Sequence, residues 1–296
     1  MRSTNGVAKC VKRFVRSSLL WIHTVMAVFA LAACSTPSGT ERADGSTGSV
    51  LPSTNPTESS SSSTTAPPAL DCDGAADARA IWFSAGDGIR LYGAVLGSGR
   101  VGVVVANDVP HDLCETFTPA RFLAARGYRV LVFDYRDRGT SDTSNNPGRL
   151  DKDVAGAVAE LRSRGAVRVI LLGSYAGVAA SVVAATEIQP PVDGLIGISP
   201  AAFRGQWVQG PFGPIGALQA APHLRVPALY VTVRTDSYVS LGEVRRLFRL
   251  TGSPNKDLLV IPSGSAGFDM IDFNSYGDRV RTAILSFVGR FESRPT

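Results

Sequence analysis

Val167-Arg168-Val169-Ile170-Leu171-Leu172 runs directly into Gly173-Ser174-Tyr175-Ala176-Gly177, and small residues continue as far as Thr186. A short apolar run closed by glycine reads as a buried strand, and the small-residue stretch after it reads as a closely packed helix. Glycines two before and two after Tyr175 mark a turn too crowded for side chains at those positions. Ser174, Tyr175 and Ala176 lie between the two glycines, with Tyr175 in the middle.

Outward from this bend, strand and helix patterns alternate. Ala80 to Ser84 and Ile89 to Leu96 read as an opening antiparallel pair turned by Gly86-Asp87-Gly88. Val101 to Ala106, Tyr128 to Phe133, Val167 to Leu172, Val192 to Ser199, Ala228 to Val233 and Leu258 to Ile261 follow as strands. Pro119 to Arg126, Asp151 to Arg164, Gly177 to Thr186, Leu241 to Leu250 and Tyr276 to Phe291 carry helical spacing, with Gly127 and Gly165 as stops. Such alternation predicts an α/β domain over 71–296, a mostly parallel central sheet with helices on both faces. Its chemistry is expected beyond the C-terminal strand ends. Phe203 to Pro222, rich in Gly and Pro with Trp207 and Phe212, breaks the pattern and reads as a short cap insertion.

Four motifs then fall in order. Asp134-Tyr135-Arg136-Asp137-Arg138-Gly139-Thr140-Ser141 follows one strand, and Gly173 to Gly177 follows another. Val233-Arg234-Thr235-Asp236-Ser237-Tyr238-Val239 and Ile261-Pro262-Ser263-Gly264-Ser265-Ala266-Gly267-Phe268 follow the last two. Together they resemble the α/β-hydrolase fold family, in its small dienelactone-hydrolase-like form. The resemblance implies a nucleophile elbow at Gly173–Gly177, a triad acid at Asp236 and a triad histidine in the final loop. At those places stand Tyr175, Asp236 and Ala266. The acid of a triad only orients the imidazole that takes the nucleophile's proton, so Asp236 without those partners activates nothing. A phenol with a pKa near 10 stays protonated at neutral pH when no base is beside it.

The resemblance therefore implies a degenerate site. Its cleft is expected to be lined by Asn107, His111, Tyr175, Ala176 and Asp236, with Trp207 nearby, and to bind a small or lipid-like ligand or a protein partner. The alternative is a working serine hydrolase using Ser174 and His111, because the Asn107–His111 loop approaches the elbow in this fold. Shifting the elbow by one residue would put Leu172 where a small residue is required. His223 reads as a surface loop residue. Asp134, Asp137 and Asp142 crowd one turn with Arg136 and Arg138 and read as an ion-paired turn. With no spaced His/Cys cluster and no glycine-rich phosphate loop, neither a metal nor another cofactor is expected.

The first 33 residues are a separate matter. Arg2, Lys9, Lys12, Arg13 and Arg16 precede an apolar run from Leu19 to Ala33, and Leu31-Ala32-Ala33-Cys34 closes it. Basic start, apolar core and small residues at the cut make a secretory signal, whose ending resembles a bacterial lipobox with Cys34 as the acylated cysteine. Export with a lipid anchor in the cell membrane is the expectation. Without the signal's five basic residues, the chain's 30 Lys+Arg fall to 25 against 25 Asp+Glu. A near-neutral balance of this kind gives no electrostatic reason to expect a nucleic-acid partner. Residues 35–70 are mainly Ser, Thr, Pro and Gly without an aromatic residue, a tether spanning about 30–36 Å. Cys72 and Cys114 remain, and in an oxidising compartment they are expected to pair as a disulfide.

Overall fold

The computed structural model describes residues 66–109, 111–201, 216–272 and 275–292. The signal, Cys34, most of the tether and the cap as far as residue 215, Trp207 included, lie outside the described residues.

Among the described residues eight strands form one sheet: β1 (Arg79–Ser84), β2 (Arg90–Leu96), β3 (Val101–Ala106), β4 (Arg129–Phe133), β5 (Arg168–Ser174), β6 (Gly194–Ile198), β7 (Ala228–Val233) and β8 (Lys256–Ile261). Their spatial order is β1-β2-β4-β3-β5-β6-β7-β8. β1 and β2 pair antiparallel, β2 pairs antiparallel with β4, and every later pairing is parallel. All six residues of β3 are buried, as a strand covered on both faces requires. Its side chains alternate between two cores: Val104 and Ala106 enter one, Val103 and Val105 the other.

Among the described residues the helices are α1 (Phe117–Ala124), α2 (Leu150–Ser163), α3 (Ala176–Glu187), α4 (Ala217–Ala220), α5 (Leu241–Leu250), α6 (Asp269–Asp272) and α7 (Gly277–Gly289). Leu150, Val154, Val158 and Leu161 of α2 and Val178 and Val182 of α3 fill the first core. Phe117, Ala120 and Leu123 of α1 and Val280, Ile284 and Phe287 of α7 fill the second. Local chemistry ends these helices where the sequence predicts. Gly165 (φ 91°) closes α2 in a Schellman arrangement, with the Gly165 N–H on the Arg162 carbonyl and the Ala166 N–H on Leu161. Ser240 and Glu243 cap α5 reciprocally.

Three sequence expectations change. β5 runs two residues further than expected, to Ser174, which pairs with Ile198 of β6. Of the stretch expected as a cap, residues 217–223 form α4 and a 3-10 turn that ends at His223. The turn after β4 sends its Arg136 guanidinium to carboxylates outside the turn. Arg136, with no exposed side-chain surface, binds Asp153 at 2.7 Å and Asp87 of the β1–β2 turn at 2.7 Å. Asp142 pairs with Arg90 instead, and Asp134 accepts from the Leu113 and Thr140 backbone N–H groups. A guanidinium buried beside the sheet needs more than one carboxylate to offset its desolvation, and the turn alone does not supply them at the right depth.

Cys72 and Cys114 are joined, with Cα atoms 5.2 Å apart. The bridge closes a loop of 42 residues and contributes about 2–4 kcal/mol. It fastens the entry segment to the short helical turn Leu113–Thr116, immediately after the loop that follows β3.

Candidate functional site

The elbow sits where β5 gives way to α3. Tyr175 has φ 46° and ψ −112°, a backbone region that side-chain-bearing residues rarely occupy. Such strain costs on the order of 1–3 kcal/mol and persists only where the surroundings impose it. They do so here: the Tyr175 N–H bonds the Ile198 carbonyl at 3.1 Å, and the Val178 N–H bonds the Tyr175 carbonyl at 3.1 Å. A Cβ on Gly177 would drive into the Ala106 and Asn107 carbonyl oxygens, and one on Gly173 would meet the Gly177 backbone at 2.7 Å. Both glycines are thus required by close backbone approach, with Tyr175 at the apex between them. The strained geometry survives although the residue it presents is a phenol.

That phenol is held rather than activated. Burial, reinforced by the Asp236 charge, pushes its hydroxyl well above the ordinary tyrosine value, with the nearby Ser199 hydroxyl pulling the other way. Ser199 is fully buried with φ 46°, and its Oγ accepts from the Gly267 N–H at 3.0 Å. Gly267 has to be glycine, because a Cβ there would lie 2.6 Å from Cε2 of Tyr175. On its outer side the Tyr175 ring meets Tyr238 edge to face, with centroids 5.9 Å apart at 86°.

Asp236 carries the mark of a missing partner. Its Oδ1 accepts from the Tyr238 and Val239 N–H groups at 2.9 and 3.1 Å, which fixes the carboxylate. Its Oδ2 is buried and has no hydrogen-bond partner. In a triad that outer oxygen would receive the imidazole N–H. The residue at the corresponding loop position is Ala266, which has nothing to donate from its side chain.

The N–H of Ala176, the residue after Tyr175, has a partner within the chain. In this architecture the N–H of the residue after the nucleophile and an N–H from the loop after β3 hold the charge that develops on the substrate oxygen. Here the Ala176 N–H lies 3.3 Å from Asp108 Oδ1, and the Val109 N–H lies 2.9 Å from the same atom. One carboxylate oxygen of the chain itself accepts from both N–H groups. Burial raises the Asp108 carboxyl above its usual range, and the two N–H bonds pull the other way. Asp108 carries no signal of this role in the sequence. Asp108 stands two residues past the end of β3, and nothing in its immediate neighbours announces a bond to an amide 68 positions away.

The remaining candidates divide. Asn107 is buried and donates from Nδ2 to the Asp112 carbonyl at 2.9 Å, so it braces the loop. His111 is exposed, and its Nδ1 pairs with Glu115 at 2.5 Å. Ser174 is 2% exposed at the end of β5, beneath the position where a Gly267 Cβ would sit 3.4 Å from its Oγ. Among the described residues no hydrogen bond joins Ser174 to His111, although both line one cleft of about 660 Å³. Tyr175, Tyr238, Asp108 and Ala266 line it too. No group of three His, Cys, Asp or Glu suited to a metal ion occurs among the described residues.

No protein-family model matches the chain, and no curated protein sequence does. Solved structures do resemble it. An esterase of Pyrococcus furiosus superposes with a TM-score of 0.63 at 18% identity, covering 72% of this chain and 90% of that one. A monoacylglycerol lipase of Paleococcus ferrophilus gives 0.56 at 14%, covering 67% and 98%. An esterase of Thermogutta terrifontis with bound malate gives 0.56 at 16%, covering 72% and 98%. Identities this low speak for the fold alone. Sheet order, elbow geometry and these neighbours agree: the chain has the α/β-hydrolase fold.

Proposed function

We propose that this domain is a non-hydrolytic member of its fold that uses the cleft to bind a ligand. One observation carries the reading: the Asp108 carboxylate holds both N–H groups that an ester's oxyanion would need. A tetrahedral intermediate in that space would bring a second negative charge against the first, without its donors. Tyr175 at the nucleophile position and Ala266 at the histidine position support the same reading. The signal, the acylation of Cys34 and the tether belong to this proposal as well. They would hold the cleft outside the cell within reach of the membrane, and they rest on the N-terminal sequence.

A second reading, a serine hydrolase using Ser174 and His111, draws on their shared cleft and on the esterases and lipases among the structural neighbours. Against it stand the burial of Ser174 and the Glu115 partner of His111. Short-chain aryl esters separate the two. The full chain is expected to hydrolyse them at the buffer rate, and no slower as Ser174→Ala. Turnover that disappears in Ser174→Ala would establish the hydrolase instead.

A further inference from the structure

Resting on the lipid-anchored tether of that reading and not on its chemistry, we infer that the end of the sheet opposite the cleft docks on an anionic phospholipid bilayer. The parallel strands β3 to β8 all start at this end, and so does β1. Arg79 opens β1, Arg129 opens β4 and Arg100 precedes β3. Arg126 and Arg162 join them from the ends of α1 and α2, since a crossover helix runs back toward the strand starts. Acids at this end are largely engaged. Glu160, which also feels the Arg79 charge, holds Arg164 at 2.5 Å, and Asp193 holds Arg168 at 3.1 Å. Asp257 lies 3.7 Å from Arg290, and Glu292 accepts from the Tyr128 hydroxyl. Arg79, Arg100, Arg126, Arg129 and Arg162 make no ion pair among the described residues, and the last three donate to backbone carbonyls alone. Asp77 lines a hollow of about 440 Å³ with Arg79, Arg129 and Arg164 but pairs with none of them. Cations in a last helical turn favour the helix dipole, which accounts for Arg162 and leaves the three at strand starts unexplained.

Exposed apolar side chains at the same end set the kind of partner. Among the described residues Val167 is 44% exposed and Leu250 37%. Val167 donates its N–H to the Arg100 carbonyl at 2.8 Å, so it stands beside the cationic group. Leu250 is the last residue of α5, and Lys256 reaches the carbonyl of its neighbour Arg249 at 3.4 Å. Guanidiniums paired with phosphates, and apolar tips entering the boundary beneath them, are what an interfacial surface presents to a bilayer. A nucleic-acid backbone would meet the arginines but offer nothing to Val167 and Leu250. The tether, spanning about 30–36 Å, would hold the domain at high effective concentration beside the membrane, so a weak surface suffices. Docked this way, the cleft at the other ends of the strands opens toward the aqueous side.

The test uses residues 35–296, which keep every described element, both cores and the disulfide but neither the apolar leader nor Cys34. Co-sedimentation measures binding to vesicles of phosphatidylcholine with and without about 30 mol% phosphatidylglycerol. The expected result is binding at least about tenfold tighter to the anionic vesicles, released as salt rises from about 0.05 M to about 0.5 M. Arg79→Gln with Arg100→Gln should weaken it by about 30-fold. Arg234→Gln with Arg279→Gln removes the same charge elsewhere, from the loop after β7 and the first turn of α7, and should change it by less than about threefold. All four side chains are exposed, so both pairs are expected to fold, which circular dichroism checks. Equal binding to the two vesicle types, no binding at millimolar lipid, or equal losses in the two pairs overturns the proposal. Release from anionic vesicles by duplex DNA at equal charge concentration would assign the arginines to a nucleic acid and overturn it too. The two readings fail separately. Ester turnover that depends on Ser174 sinks the non-hydrolytic reading alone, whereas missing vesicle binding in an inert protein sinks only this one.

Discussion

A Tyr175→Ser, Ala266→His double variant is expected to hydrolyse p-nitrophenyl acetate no faster than buffer, and adding Asp108→Ala to raise that rate by about 10²–10³-fold. The backbone needed by a nucleophile is in place: the residue at 175 already sits at φ 46° between two glycines that close backbone approach demands. Removing the Tyr175 ring also opens the space beside Gly267 and Asp236 that an imidazole at 266 needs. Asp236 is ready to orient it, with one oxygen fixed by two amides and the other unpartnered. What the double variant lacks is the pair of free N–H groups, since Val109 and Ala176 both still point at the Asp108 carboxylate. Losing one oxyanion donor costs a hydrolase about 10²–10³ in kcat. Here two donors are engaged and a negative charge is added. Equal rates for the double and triple variants, measured by initial velocities at neutral pH, would refute the role given to Asp108.

Arg136→Met is expected to destabilise the domain by about 3–5 kcal/mol at neutral pH, because it strands a buried carboxylate. Asp153 has no exposed side-chain surface and meets Arg136 three times: Oδ1 accepts from Nε at 2.8 Å and forms an ion pair with Nη2 at 2.7 Å, and Oδ2 accepts from the backbone N–H at 3.0 Å. Burial lifts its carboxyl to about 6 even with the guanidinium resisting. Without Arg136 the folded-state value rises further above the unfolded one. The ionised form then penalises folding at neutral pH, and the penalty fades as pH falls through the folded-state value and the group takes up its proton. The deficit of Arg136→Met should therefore shrink on acidification, and Arg136→Met with Asp153→Leu should recover much of the loss at neutral pH. Urea titrations across pH measure both. A deficit that is independent of pH would show that the guanidinium's packing, not its charge, carries the effect.

How far the sequence disclosed this site depends on the range of the interaction. The elbow was legible because its requirement is local: a β-strand, two glycines four apart and a small-residue helix form one continuous stretch. The loops bearing Asp236 and Ala266 were legible through their order after late strands. Asp108 was not, because its partner amide at Ala176 lies across the sheet, and a carboxylate after a strand end points anywhere until β3 and β5 are paired. Arg136 shows the same limit in reverse. Alternating signs from Asp134 to Asp142 suggested a self-paired turn, whereas the guanidinium reaches 49 residues back to Asp87 and 17 forward to Asp153. The Ser199 hydroxyl behind Tyr175 and the exposed Tyr238 ring carry no pattern of their own. The short helices at Leu113–Thr116 and Asp269–Asp272 hold too few residues to show a helical period.

The most direct test treats the full chain with a fluorophosphonate and reads the intact mass, with the modified residue located by fragmentation. An accessible serine polarised by a base is phosphonylated, whereas a buried serine with no base beside it is not. The predicted spectrum is that of the unmodified protein, unchanged by Ser174→Ala. A stoichiometric adduct on Ser174, absent from that variant and from His111→Ala, would mean that this cleft performs hydrolysis after all.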